Sequence, residues 1–346
     1  VRVAVARITA EDGSSGFGPC RATRAEAKAV LGQRLQRAFL PASGATPAWL
    51  PLEYPLFDLV AGRASKPVFA LAAALAGRPL GDPRSLRVPC YDTSLYFDDL
   101  HLGEHEAGAA LIAAEARQGW ERGHRHFKIK VGRGAMHMPL EAGTRRDIAV
   151  VRAVRAAVGP QATLMLDANN GFNLNLARRV LLETADCGVY WLEEAFYEDF
   201  VLYRQLVEWM AKEGLRVLIA DGEGQASPQL MDWAREGAID VVQFDWLSHG
   251  FTQWLATGRQ LDAWGVRAAP HHYGGGLGNY VSGHLAAAIR GFTFVEWDDA
   301  RLPVVDASVY SLRDGYVTLP EVPGFGLGLD EAAFAQAVAV DGFVLE

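Results

Sequence analysis

From Val88 to Asp298 the sequence alternates short apolar runs with stretches whose apolar residues recur every three to four positions. That pattern builds parallel strands joined by covering helices, because a parallel pair needs a long crossover and the crossover must bury its apolar stripe. The strands expected are 88–97, 126–131, 163–169, 189–195, 216–222, 241–246, 266–272 and 292–298, with helical stretches such as 104–119, 149–158, 174–184 and 252–264 between them. Eight parallel strands in an open sheet would leave two edges to protect, so a closed (β/α)8-type barrel is expected, its last helix missing or replaced.

Residues 1–87 read differently. Val1–Thr9 alternates apolar and polar residues, 11–18 reads as a turn, and 22–38 and 64–76 are Ala-rich helical stretches, which together suggest a separate α+β unit. The Pro- and Gly-rich tail from 300 to 346 holds no further βα unit and is expected to pack back on that first domain. The glycines of GSSGFG at 13–18 suit a hairpin turn, since no lysine and no βα unit follow. GGGLG at 274–278 fits either an anion-holding helix start or a flexible turn.

Composition narrows the partners. Lys and Arg total 33 against 41 Asp and Glu, a net charge of −8, so nothing is spare to neutralise nucleic-acid phosphates or an anionic membrane. No apolar run approaches the length of a membrane span. The three cysteines, Cys20, Cys90 and Cys187, are far apart and lack CxxC spacing. With no signal-peptide layout at Val1, a cytoplasmic protein acting on a small molecule is the expectation.

In a barrel of this kind, reactive side chains sit at the C-terminal strand ends. There the sequence places Lys128 and Lys130 in FKIK, Asp167 in LMLDAN, Glu193 and Glu194 in WLEE, and Asp221 and Glu223 in IADGE. Asp245 in QFDW, His271 and His272 in PHH, and Glu296 in VEWD complete the series. Each ionisable terminus alone says little; the unbroken series from the second strand to the eighth is the signal.

Strands three to five are neighbours, so Asp167, Glu193 and Glu223 converge as three hard-oxygen donors suited to Mg2+. Asp245 and His271 lie on adjacent strands, where the carboxylate fixes the imidazole tautomer and raises its basicity. Lys128 and Lys130 share one strand face. A substrate held on the metal would meet Lys130 on one side and His271 on the other. Such a set removes a proton beside a carboxylate, a step limited by the two negative charges of the enediolate. Lys128 and a protonated Glu296 are the candidates to stabilise it, and Lys128 together with the cation is expected to lower the pKa of Lys130. Trp246, Tyr273, Phe196 and Trp297 lie near strand ends, with core packing the default reading.

The order KxK, Asp, Glu, Glu, then Asp and His on consecutive strands, then Glu resembles the mandelate racemase subgroup of the enolase superfamily, whose sites use a Lys or His base with Mg2+. The resemblance implies a (β/α)7β modified TIM barrel over 88–299, and an α+β capping domain formed by 1–87 and completed by 300–346. It implies Asp167, Glu193 and Glu223 as Mg2+ ligands, preferring Glu193 to Glu194 and Glu223 to Asp221. Lys130 and the His271–Asp245 pair become the two acid/base groups, with Lys128 and Glu296 as carboxylate stabilisers; His272, adjacent to His271, is expected to point away because neighbouring strand residues face opposite sides. The resemblance further implies a homo-oligomer and a strand and mobile loop ahead of VRVAVARITAEDGSSGFG, which either lie outside this sequence or are lacking. The activity implied is dehydration of a sugar acid to a 2-keto-3-deoxy acid, with racemisation or epimerisation as the alternative.

Overall fold

The structure, a computed structural model, describes residues 3–80, 85–274, 276–300 and 302–346. Val1 and Arg2 of the alternating opening, 81–84, Gly275 of GGGLG and Arg301 of the tail lie outside the described residues. The chain divides into two compact units: one is Pro89–Phe244 with Leu312–Tyr316, the other runs up to Val88 and resumes over Asp245–Ser311 and Val317–Glu346.

In the first unit, the strands Leu86–Leu95 (from Pro89 onward), His126–Lys130, Thr163–Asp167, Val189–Glu193, Leu218–Asp221 and Val241–Val242 lie side by side in chain order. Every neighbouring pair is parallel. Alternation splits each strand between two faces. Phe127, Ile129, Leu164, Leu166, Leu192 and Ile219 are all buried on one of them. On the other, register aligns Lys128 with Met165 and Met165 with Trp191, then Lys130 with Asp167 and Asp167 with Glu193. Three ionisable residues therefore form one rung at the C-terminal end of three adjacent strands.

The crossovers are the helices His105–Glu121, Leu140–Val158, Leu174–Glu183, Phe200–Glu213 and Leu230–Arg235. Two of them start where a strand-end loop supplies a side-chain cap: Asn173 accepts from the Leu176 amide, and Asp199 from that of Leu202. The loops after Lys130 and Asp167 meet backbone to backbone. Gly132 has φ +94°, and a Cβ there would lie 2.9 Å from the Ala168 carbonyl oxygen; one on Gly171 would lie 2.7 Å from the same atom.

The second unit opens with the hairpin Val5–Thr9 and Ser15–Pro19, antiparallel, its turn holding the first glycine of GSSGFG. The helical expectation over 22–38 resolves into Arg24–Val30, begun by a Thr23–Glu26 capping box, and Leu35–Ala38. The expectation over 64–76 resolves into Val68–Leu75. A helix Glu53–Arg63 precedes it, and the buried Glu53 carboxylate accepts the Phe251 and Thr252 amides at 3.0 and 2.8 Å, capping Phe251–Trp264.

The last two expected strands are short, Arg267–Ala268 and Val295–Trp297, with single parallel bridges joining Asp245 to His271 and Ala268 to Phe292. In the tail, Val305–Asp306 pairs antiparallel with Gly328–Leu329, and Phe325 donates its amide to Asp58 at 2.8 Å. A final helix spans Glu331–Asp341. Among the described residues no helix is long and apolar enough to cross a membrane.

Candidate active site

The first unit gathers five of the sequence-derived site residues. Lys128, Lys130, Asp167 and Glu193 are all buried. Lys128 Nζ donates to Glu193 Oε1 at 2.6 Å and lies 3.3 Å from Asp167 Oδ2, the oxygen to which Lys130 Nζ also donates. The second Glu193 oxygen accepts from Trp191 Nε1 and from Gln243 Nε2, both at 3.0 Å. Asp167 Oδ1 accepts the Asn169 amide at 3.0 Å.

Asp167, Glu193 and Glu223 each offer an oxygen within 4.8 Å of the others'. An octahedral Mg2+ with bonds of about 2.1 Å spaces its ligand oxygens about 3 to 4.2 Å apart. The trio is therefore close to the size of that shell, and three carboxylate oxygens are the donor chemistry Mg2+ takes. These residues fit the ion.

The two alternatives in the sequence have other partners. Asp221 accepts from the Tyr203 hydroxyl and from the Gly222 amide. Burial pushes its carboxyl up to about 7 against the lowering pull of that hydroxyl. Gly222, at φ +120°, carries the chain from Asp221 to Glu223, and a Cβ there would press on Leu230 at 3.1 Å. Glu194 sits at φ +43°, a conformation uncommon for a non-glycine residue, and its carboxylate accepts from the Asn169 and Asn170 side-chain amides at 3.0 Å each. Its carboxyl is raised, mainly by burial.

Lys130 and Asp167 hold each other in their charged forms. Burial would lower Lys130, and Lys128 adds to that, but the Asp167 and Glu193 carboxylates outweigh both and hold its ammonium above the ordinary value. The same pairing works on Asp167: burial would raise its carboxyl, and the two ammoniums hold it below the usual range. The lowering expected for Lys130 involves the cation as well as Lys128, and the cation's charge would act against the carboxylates that hold the proton here.

The second unit gathers the rest. His271 Nδ1 meets Asp245 Oδ1 at 2.6 Å, and His271 Nε2 lies 3.9 Å from Glu296 Oε2. Glu296 is buried, and the same carboxylate oxygen accepts the His272 amide at 2.9 Å. His272 is also buried, its ring bonded through Nε2 to the Glu296 carbonyl at 2.8 Å and packed against Gly278. GGGLG opens only the four-residue helix Gly278–Val281, and the Gly274 amide is taken by Asp298 at 2.9 Å. Of the four aromatics, Trp246 is buried against Tyr54, Phe196 stacks on Tyr203, Trp297 meets Tyr280 edge-on, and Tyr273 is exposed.

Trp191, Gln243, Tyr203 and the Asn169–Asn170 pair do not stand out as site residues in the sequence. Two of them carry a readable signal all the same. Trp191 stands two residues before Glu193 and so shares its strand face, and Gln243 is a polar residue inside the apolar run VVQF.

The enolase C-terminal domain-like family model matches residues 111–333. The chain belongs to the enolase superfamily, in its mandelate racemase/muconate lactonizing subgroup. It is 48% identical to galacturonate dehydratase from Geobacillus sp. in complex with D-galacturonate and 5-keto-4-deoxy-D-galacturonate, covering 99% of this chain and 89% of that one at a TM-score of 0.93. A mutant of that dehydratase complexed with Mg superposes at 0.94, with 99% and 88% covered. The fold class is accordingly α/β, with an enolase-type C-terminal barrel domain and an N-terminal capping domain, as in those structures. Among curated relatives, arabinonate dehydratase from Saccharolobus solfataricus is 24% identical over 81% of this chain and 69% of its own. D-galactarolactone cycloisomerase from Agrobacterium fabrum is 27% identical over 65% of this chain and 59% of its own length.

Proposed function

We propose that this chain is a Mg2+-dependent carbon–oxygen lyase that dehydrates a sugar acid, with a hexuronate such as D-galacturonate as the first substrate to test. The observation that carries the reading is the carboxylate trio Asp167, Glu193 and Glu223, of which Asp167 and Glu193 pair with Lys128 and Lys130 at adjoining strand ends. Identity of 48% to a galacturonate dehydratase supports the substrate class.

In this reading Asp167, Glu193 and Glu223 hold the ion, which supplies electrostatic stabilisation to the substrate carboxylate as negative charge builds on its oxygens. Lys130 and His271 are the acid/base groups. With its Nδ1–H donated to Asp245, His271 presents the Nε2 lone pair, so it gains a proton at one defined atom and returns it from there. The α C–H bond breaks and its proton passes to a base. The electron pair becomes the C=C bond as the β C–O bond breaks, and His271 delivers the proton that lets the hydroxyl leave as water. The enol then tautomerises to an α-keto, β-deoxy acid, numbered 2-keto-3-deoxy in an aldonate and 5-keto-4-deoxy in a hexuronate, because a uronate is numbered from its aldehyde end. Lys128 and Glu296 stabilise the two carboxylate oxygens meanwhile.

The same reading assigns 88–299 to the barrel and 1–87 with 300–346 to the capping domain, in a cytoplasmic homo-oligomer. The test is incubation with sugar acids in deuterated water with Mg2+, followed by proton NMR. Mg2+-dependent formation of a keto-deoxy acid supports the reading. Deuterium entry at the α-carbon with inversion and no keto product would instead assign a racemase or epimerase.

A further inference from the structure

Next to the strand that ends in Lys130 lies a cluster of four charged residues shut off from solvent. Asp99, Arg133, Arg146 and Asp147 are each entirely or almost entirely buried. Arg133 uses all five of its N–H groups. Its Nε donates to Asp99 at 3.1 Å, one terminal nitrogen to Asp147 Oδ1 at 2.8 Å and to the Lys130 carbonyl at 2.9 Å, and the other to Asp99 at 2.6 Å and the Tyr96 carbonyl at 3.4 Å. Asp147 also accepts the Gly132 and Arg133 amides at 2.8 and 3.2 Å. Arg146 joins Asp99 at 2.9 Å and donates to the carbonyls of Leu102 and Gly103 and to His105 Nδ1.

Two acids and two arginines in a dry interior are an expensive way to hold a loop, since apolar residues of similar volume often serve stability as well or better. What apolar packing cannot do is fix backbone atoms by direction. Here the fork of Arg133 and the carboxylate of Asp147 take hold of residues 130, 132 and 133 in succession. The same arginine ties that strand end to the carbonyl of Tyr96, whose ring stands 5.6 Å from Lys130 Nζ.

We propose that Arg133 and Asp147 are positioning residues for Lys130: they set the direction in which its side chain leaves the strand and keep Tyr96 over its ammonium. This rests on the reading of Lys130 as an acid/base group. Arg133→Lys keeps the buried charge but loses the planar fork, so it separates position from charge. A misplacement of the order of 1 Å at a reacting group costs about 100-fold in rate.

The experiment measures dehydration kinetics, Mg2+ affinity by calorimetry and thermal midpoint for the whole chain, for Arg133→Lys and for Asp147→Asn. The expected result is a kcat lowered about 10- to 100-fold in Arg133→Lys and less in Asp147→Asn, with KM and Mg2+ affinity within about threefold of the parent. A kcat within twofold in a folded Arg133→Lys overturns the proposal, as does a loss confined to KM or to Mg2+ binding. Should Arg133→Lys not fold, Asp147→Asn decides by the same criterion, and failure of both to fold assigns the cluster to stability alone and rejects the proposal. Lys130→Met is run beside them. If it retains activity, or the parent chain dehydrates no sugar acid, the proposed function fails and this inference falls with it. With an active parent and an inactive Lys130→Met, the kinetics of the Arg133 and Asp147 variants bear on positioning alone.

Discussion

Asp245→Asn is the most direct probe of the histidine half of the chemistry. The Asp245 Oδ1 to His271 Nδ1 contact is 2.6 Å, and both side chains are partly open to solvent, at 27% and 12%. A carboxylate there stabilises the imidazolium that forms whenever His271 carries the extra proton, through a charge-assisted hydrogen bond contributing about 1.5–3 kcal/mol. An asparagine keeps the shape and removes the charge. At about 1.4 kcal/mol per decade, kcat falls by about 10- to 150-fold. A further loss follows where the amide turns its NH2 toward Nδ1 and forces the ring proton onto Nε2, leaving no base at the reacting atom. Because neither side chain is buried, the thermal midpoint stays within about 2 °C of the parent. Steady-state kinetics of keto-acid formation and a melting curve together check this. A kcat within threefold of the parent would refute the role given to the pair.

Trp191→Phe removes the indole N–H from Glu193 and is expected to weaken Mg2+ binding about tenfold, the usual scale for a group that orients a metal ligand; calorimetric titration checks it, and an unchanged affinity counts against the ion site. His284 is buried, its Nε2 2.8 Å from the Tyr310 hydroxyl, and burial drives its pKa down to about 3. A folded value below the ordinary 6.5 means that its contribution is intact above pH 6.5 and is lost as the pH falls toward 3; at pH 5 the loss is about 2 kcal/mol. Urea unfolding at pH 7 and pH 5 should therefore show His284→Gln losing about 2 kcal/mol less than the parent across that interval, and parallel losses would contradict the assignment.

Much of the site is legible in the sequence because strand geometry is periodic. In FKIK and LMLD the charged residue closes an apolar run, so both the strand end and the facing direction follow, and the structure begins those strands where the runs begin, at His126 and Thr163. The later strands are harder. Of the runs 241–246 and 266–272 only Val241–Val242 and Arg267–Ala268 are laddered, because apolar character reports burial whereas a strand also needs amides with neighbours, and Pro270 has no N–H to give. Pro55 and Gly62 disguise the helix Glu53–Arg63; the proline falls in the first turn, where its missing N–H costs nothing. Least legible are partners set by tertiary placement. That one oxygen of Asp167 lies within reach of both Lys130 and Lys128 is such a placement, and no spacing in the sequence encodes it.

The seam where Gly132 and Gly171 leave no room for a Cβ has a consequence for how such an enzyme diversifies. With the two loops sealed together, Lys130 and Asp167, which the proposed function makes a proton carrier and a metal ligand, would form a fixed chassis, and a side chain enlarged at either glycine would disturb both at once. Variation in substrate choice is then channelled toward segments that do not share this joint, so that selectivity is free to drift while the reaction itself is inherited unchanged.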